Sequence, residues 1–434
     1  MFKLKDNNTS ASLELGAGLA IFLSMAYVMA VNPAILSGAY GDEAGAYRGA
    51  LFTATVLGTM VATLLMAFMA DLPFAVAPGM GLNAFFVVIV TSMGFTWEEA
   101  LTAVLVSGTL FAAISFSPLR EKILREVPPS LQYAVAAGIG LMIAHIGLFN
   151  GGIISVGPTG QYSLGSITRG AGFLSTLGLL ITGILLALRV RYALLAGIVV
   201  TTLVGIPMGL TDLSVIREFG PVTYPYSIAP IAFHFDFGAL ASGAFWGIVL
   251  TLVFMEVFDG LAGFLGLLTV MGKDSERYRP KLGKAFVADS LGVVAGACVG
   301  LSPNTTYAES GAGVALGGRT GLTAVTVAAL FGLCLFFSNC FLIVPAGAVA
   351  PALILVGLLM SATLRKLDYD DITESFPAFV IVVIIAFTLR ISDGLAVGWI
   401  LYILMKILAK KTSELTPTVW FVGVIFVLKE IFAG

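Results

Sequence analysis

The chain has 434 residues, of which 58% are hydrophobic and only 11% charged, and its formal net charge is −2. Soluble domains carry about 25% charged residues, so this composition excludes a soluble fold and describes a polytopic, all-α membrane protein. The faintly acidic balance also excludes nucleic acid as a partner.

At about 20 apolar residues per span, the first spans fall near 14–37, 48–70, 74–94, 97–117, 129–149, 171–188 and 192–209. A wetter connection covers 210–238. Further spans follow near 240–263, 284–300, 302–319, 321–342, 345–364, 375–390 and 392–410. The polar, basic start MFKLKDNNTS reads as a cytoplasmic tail. The apolar tail 416–432 is short and reads as an interfacial helix or a membrane-docked end.

These are fourteen segments in two sets of seven, which places the second set upside down relative to the first. With the amino terminus inside, the inner connections collect most of the basic residues: Lys3 and Lys5; Arg120, Lys122 and Arg125; Arg189 and Arg191; Lys273, Arg277, Arg279, Lys281 and Lys284; Arg365 and Lys366; Lys406, Lys410 and Lys411. The outer ones hold Arg48, Arg169, Arg217 and Arg390. The positive-inside rule therefore supports the count and puts both termini in the cytoplasm. Traces of duplication agree. Val127-Pro128 opens a run ending Gly140-Leu141-Met142, and Val344-Pro345 opens one ending Gly357-Leu358-Leu359 at the same separation.

The third and tenth spans are interrupted. AVAPGMGLNAFF (75–86) carries Pro78 and two glycines, after which a half-helix resumes with Asn83, Phe85 and Phe86. The stretch 299–323, VGLSPNTTYAESGAGVALGGRTGLT, carries Pro303, Asn304, Glu309 and Arg319 between apolar runs. It reads as an extended piece through Leu301-Ser302-Pro303 and a half-helix from about Thr305, with Glu309 about one turn in. Irregular backbone at membrane depth is tolerated only where protein or a watery cavity covers it. Paired interruptions in inverted repeats point to a carrier's midplane site. Two half-helices meeting amino end to amino end would aim N–H groups at one cavity.

The eighth span, TLVFMEVFDGLAGFLG (251–266), sets Glu256 and Asp259 three residues apart, on roughly one helix face. Ionisable groups in a membrane are costly and usually functional, and a buried carboxylate can carry a proton along with a solute. Asp289 in the ninth span reads first as a brace of the core. Arg319 suits the carboxyl end of the half-helix, and Asp393 an amino-terminal cap. His145 reads as a packing residue with a satisfied hydrogen bond, and His234 belongs to an outer loop. The cysteines (Cys298, Cys334, Cys340) lack metal-ligand spacing and read as small buried hydrophobes. No phosphate loop, zinc-type histidine pair or nucleophile elbow appears, so neither an enzyme nor an ATP-driven pump is expected, and no cofactor or metal.

The chain resembles the AzgA-like purine permeases of the nucleobase–ascorbate transporter family over nearly its whole length. The resemblance rests on AYVMAVNPAILS (26–37), APGMGLNAFF (77–86), FMEVFDG (254–260) and TTYAESGAGVALGGRTGLTAV (305–325). It implies two inverted seven-span repeats, 1–209 and 240–434. Their core parts are 14–117 and 240–342, their gate parts 129–209 and 345–410, and 411–434 is a C-terminal interfacial segment. It implies an elevator-type, proton-coupled uptake of adenine, guanine or hypoxanthine across the cell (inner, cytoplasmic) membrane, with the lipid bilayer as surroundings and a homodimer as one assembly. By position Asn83, Glu256, Asp259 and Glu309 match the family's binding and coupling residues; Phe85, Phe86 and Thr306 are further substrate-binding candidates from this chain's own residues, and proton coupling is expected of Glu256, Asp259 and Glu309. Two departures bear on the substrate: the family's usual first acid is aspartate where this chain has Glu256, and its serine/threonine run is here Ser302-Pro303-Asn304. Xanthine, uracil or another planar amide thus stays open, as do an anion carrier of the sulfate or bicarbonate kind on the same fold and a channel.

Overall fold

The structure, a computed structural model, describes residues 2, 4–117, 126–157, 161–190, 192–272 and 275–433. Of the basic residues used to orient the chain, Lys3, Arg120, Lys122, Arg125, Arg191 and Lys273 lie outside the described residues.

The chain opens with α1 (Ala11–Met25), whose first turn is capped by the Ser10 hydroxyl accepting from the Leu13 N–H. At Ala26-Tyr27 the helix tightens by one turn, both residues keeping right-handed helical angles, and it continues as α2 (Val28–Leu36), which carries Pro33. Helix α3 (Ala44–Leu65) ends in a π-type turn over Met66–Ala70 and stops at Asp71, whose left-handed backbone (φ +50°) turns the chain. Next come the extended piece β1 (Val76–Pro78), α4 (Met80–Met93) and α5 (Trp97–Phe116). A capping box starts α5: Thr96 accepts from the Glu99 N–H while the Glu99 carboxylate accepts from the Thr96 N–H, at 3.2 and 2.8 Å.

Helix α6 (Pro129–Asn150) leads to a surface hairpin, β2 (Ile154–Val156) with β3 (Tyr162–Leu164). Helices α7 (Gly170–Ala187) and α8 (Ala193–Gly205) and the short α9 (Ser214–Phe219) follow. Helix α10 (Gly243–Met271) runs well past the expected end at 263, because nothing in LLTVM interrupts its apolar run. Then come α11 (Leu282–Cys298), β4 (Asn304–Thr306), α12 (Gly311–Ala315) and α13 (Gly321–Cys334). The chain closes with α14 (Ala346–Ser361), α15 (Ile372–Thr388), α16 (Ile391–Leu408) and α17 (Pro417–Ala433).

Among the described residues, 8 helical segments are long and apolar enough to cross a membrane, and Met80–Met93, Ala193–Gly205 and Ile372–Thr388 are shorter apolar helices. Packing sorts the helices into two groups. Helices α6, α14 and α15 lie together, with α7 and α8 against α14, and α16 against α15. Helices α3 and α5 pack on α11, α13 packs on α1 and α3, and α10 packs on α5. The tail helix α17 packs on α16 and α10.

The described structure corrects three expectations. The extended piece of the tenth span reaches Thr306, and a tight turn over Ala308–Ser310 precedes α12, so the half-helix starts later than Thr305; backbone pairing with β1 holds those residues extended. Asp393 is not the cap of α16: Arg390 holds that position, and Asp393 sits in the first turn with an ion pair to it at 3.6 Å. None of the three cysteines is buried; Cys340 is exposed and the others half-covered, since the outer face of a membrane helix is itself apolar.

The far end of the tenth span, beyond α12, is tied down by Glu14, fully buried in α1. Its carboxylate accepts from the Arg319 N–H at 3.0 Å, the Thr320 N–H at 3.3 Å and the Thr323 hydroxyl. Asp71 accepts from the Gly321 N–H at 2.9 Å and pairs with Lys281 at 2.9 Å. Each buried donor left unpaired costs about 1–3 kcal/mol. Glu14→Ala is therefore expected to lower the melting temperature in detergent clearly more than Glu14→Gln, which keeps an acceptor; equal melting of the two would refute this anchoring.

Candidate functional site

The site starts from backbone. Strands β1 and β4 pair antiparallel, with Val76 opposite Thr306, Ala77 opposite Thr305 and Pro78 opposite Asn304. Flanking bonds extend the ladder: the Gly79 N–H to the Pro303 carbonyl and the Tyr307 N–H to the Ala75 carbonyl, both 3.0 Å. Thr63 of α3 bonds both the N–H and the carbonyl of Val76 at 3.0 Å, and the Ser310 hydroxyl accepts from the Ala75 N–H at 2.9 Å. Proline and glycine had freed these groups from helix; the cross-pairing restores their partners.

Because the two pieces run antiparallel, the helices that follow them leave the crossing in opposite directions. The amino end of α4 and the turn leading into α12 therefore both face it. Gly81, in the first turn of α4, meets Ile139 of α6 so closely that an added Cβ would lie 2.4 Å from the Ile139 Cγ2. Helix α10 lies against β4 and α12, and a Cβ on Gly263 would sit 2.9 Å from the Thr306 carbonyl oxygen. Only glycine permits that approach.

Side chains fill in around this frame. Asn83 is fully buried, and its amide oxygen accepts from the Ser302 hydroxyl. Glu256, near the middle of α10 and 1% exposed, takes the Ser107 hydroxyl on Oε1 at 2.7 Å. Asp289 of α11, also 1% exposed, accepts from the Thr306 hydroxyl at 3.0 Å and lies within electrostatic reach of Glu256 and Asp259. Asp259 lies beside Thr305. Glu309 accepts on Oε1 from the Tyr27 hydroxyl at 2.7 Å. Tyr307, which donates to the Pro78 carbonyl at 2.6 Å, feels both Glu309 and Asp259.

The structure thus brings Asn83, Thr306, Glu256, Asp259 and Glu309 around one crossing. Phe85 and Phe86 belong to α4 but are fully buried, so neither ring offers an open face in this conformation. Arg319 sits beyond α12, its guanidinium bonding the Val314 carbonyl at 2.7 Å, as a cation at a helix carboxyl end should. His145 bonds the Ala386 carbonyl at 3.3 Å, and His234 packs on Trp97 in the outer loop. Sequence reasoning missed Tyr27, Ser107, Ser302 and Tyr307. The available signal was polarity inside apolar runs, most plainly Ser107 in VLVSGTLF.

Three buried oxygens here, Glu256 Oε2, Asp289 Oδ2 and Asn304 Oδ1, have no hydrogen-bond partner among the described residues. A buried acceptor without a donor is expensive, and a proton, a water or a solute's N–H group would each relieve it. The arrangement is made to receive donors.

Helices of spanning length around two facing half-helices, with acids gathered behind the crossing, define a multi-pass membrane transporter. The chain belongs to the Permease family described as Xan_ur_permease, which it matches over residues 13–397. It is 36% identical over 434 residues to the adenine permease AdeP of Escherichia coli, covering 100% of this chain and 95% of that one. It is 38% identical to the guanine/hypoxanthine permease PbuG of Bacillus subtilis, with 99% of each chain covered. In fold it is similar to the transmembrane domain of the cyanobacterial bicarbonate transporter BicA, with a TM-score of 0.63 at 16% identity, over 89% of this chain and 96% of that one. These relatives are transporters, and the chain is a nucleobase-type permease and not an enzyme.

Thr306→Val keeps the shape but removes the hydroxyl that donates to Asp289. It is expected to cost about 1–3 kcal/mol, read as a lower melting temperature in detergent, whereas Thr306→Ser should melt near the unaltered chain.

Proposed function

We propose that the chain is a proton-coupled symporter that brings purine nucleobases (adenine, guanine or hypoxanthine) into the cell. The observation that carries this reading is the β1–β4 crossing, which the amino end of α4 and the turn before α12 both face, with the buried carboxylates of Glu256 and Asp289 beside it. A purine is flat, has few charges and presents both N–H donors and ring-nitrogen acceptors. Glu256 and Glu309 would take its donors, and Asn83 and the amide groups at the amino end of α4 would serve its acceptors. Stacking on Phe85 or Phe86 would require a conformation that uncovers one of these buried rings.

The names of the relatives support the substrate class: one is called an adenine permease and another a guanine/hypoxanthine permease. The bicarbonate-type alternative shares the fold, but carboxylates around the crossing repel an anion. Coupling follows from cost. An ionised carboxylate in an apolar interior without enough donors is unstable, so Glu256, Asp259 and Glu309 take up a proton in one state and release it in the other.

Movement is assigned to the two packing groups. The core comprises α1 to α5 with α10 to α13, the gate α6 to α8 with α14 to α16, in fourteen spans of two inverted repeats with both termini cytoplasmic. The crossing, held wholly by core elements, would travel with the core as one rigid piece in an elevator-type step. Gly81 against Ile139 is one place where core slides on gate.

In vesicles carrying the purified chain, labelled hypoxanthine is expected to accumulate when the outside is more acidic than the inside, and to stop accumulating when a protonophore collapses the gradient. Glu309→Gln should lower uptake more than roughly tenfold while folded protein in the membrane stays unchanged. Gradient-independent equilibration would remove the proton from the mechanism, and normal uptake by Glu309→Gln would remove that residue from the site.

A further inference from the structure

The two glutamates of the crossing are held in the same unusual way. Glu256 Oε1 takes a hydroxyl hydrogen bond from Ser107 of α5, and Glu309 Oε1 takes one from Tyr27 in the turn between α1 and α2, each at 2.7 Å. Both hydroxyl residues are buried, at 0% and 1% exposure. Neither is local to the acid it holds; they come from 149 and 282 positions away in the chain. Glu256 Oε2 is buried and has no partner among the described residues.

Ser107 has a second acceptor, the Val104 carbonyl at 3.0 Å. One hydroxyl proton cannot serve both acceptors fully. With Glu256 ionised, Ser107 donates its hydrogen bond to the carboxylate. With Glu256 protonated, Ser107 can turn to the Val104 carbonyl and accept from the acid. The same hydroxyl thus keeps the glutamate in place in either charge state. Tyr27 lies in the tightened turn between α1 and α2 and is 1% exposed, so packing sets the direction of its phenol.

We infer that Ser107 and Tyr27 are positioning residues that each lock one oxygen of a site glutamate, so that the two carboxylates hold fixed directions toward a flat solute carrying two separate N–H donors. This rests on the purine-transport reading and narrows it. A base with one N–H blocked leaves one glutamate oxygen unpaired, and the site rejects it.

The test uses the full chain in proteoliposomes with labelled hypoxanthine. Ser107→Ala and Tyr27→Phe are each expected to raise KM about tenfold with the maximal rate within about twofold, and Ser107→Thr, which keeps the hydroxyl, to return KM close to the unaltered value. On the unaltered chain, hypoxanthine methylated on its six-membered-ring N–H, or on its five-membered-ring N–H, should compete at least about tenfold more weakly than the parent. A structural role alone would lower the amount of folded protein and leave KM unchanged, which would overturn the inference. So would methylated bases that compete as well as hypoxanthine. If Ser107→Ala fails to fold, Tyr27→Phe and the methylated bases still decide the matter. An unaltered chain that takes up no purine at all would overturn the transport reading itself, and the donor rule with it.

Discussion

Extended backbone has no place in hydrocarbon unless something pairs with it, and this molecule puts two such pieces side by side so that each pairs with the other. That pairing is the constraint on which the rest depends. It fixes where α4 and α12 begin and in which direction they leave. It also explains the side chains spent on support: the Thr63, Ser310 and Tyr307 hydroxyls all bond backbone groups of β1 or its flanks. The cross-pairing turns the costly interruption of two helices into a rigid platform.

On that platform the charge pattern is one-sided. Acids approach the crossing from α10, α11 and the turn before α12, while Arg319 is held away beyond α12. Among the described residues no cation bonds Glu256, Asp289 or Glu309, and hydroxyl donors hold them. A hydroxyl steadies a carboxylate without neutralising it permanently, as an arginine would. The acids stay in place yet remain able to change charge, which suits a carrier and would be a liability in a purely structural core.

Much of this could be read in the sequence, for identifiable reasons. Pro78-Gly79 and Pro303-Asn304 announce a break because they cannot continue a helix cheaply, and Glu256, Asp259 and Glu309 stand out against apolar neighbours. Their gathering follows from the packing of α10 on β4, which the similar interruption in both halves already hinted at. What could not be read was long-range. Nothing local to Tyr27 points to Glu309, and nothing local to Ser107 points to Glu256. Local rules misled at the ends of elements: Asp393 looked like a cap by residue type, but the turn made Arg390 the cap. Thr305 looked helical until pairing with Ala77 held it extended.

The separation of β1 from β4 along the chain also sets an order of assembly. Ribosomal synthesis delivers Val76–Pro78 long before Asn304–Thr306 exists. Until then the nascent third segment has backbone groups that lipid cannot satisfy. It must wait in the translocon or near the headgroups, and enter its final depth only as the late segment arrives. A nascent chain stalled short of residue 306 would therefore lack the backbone partner that β1 has in the finished protein.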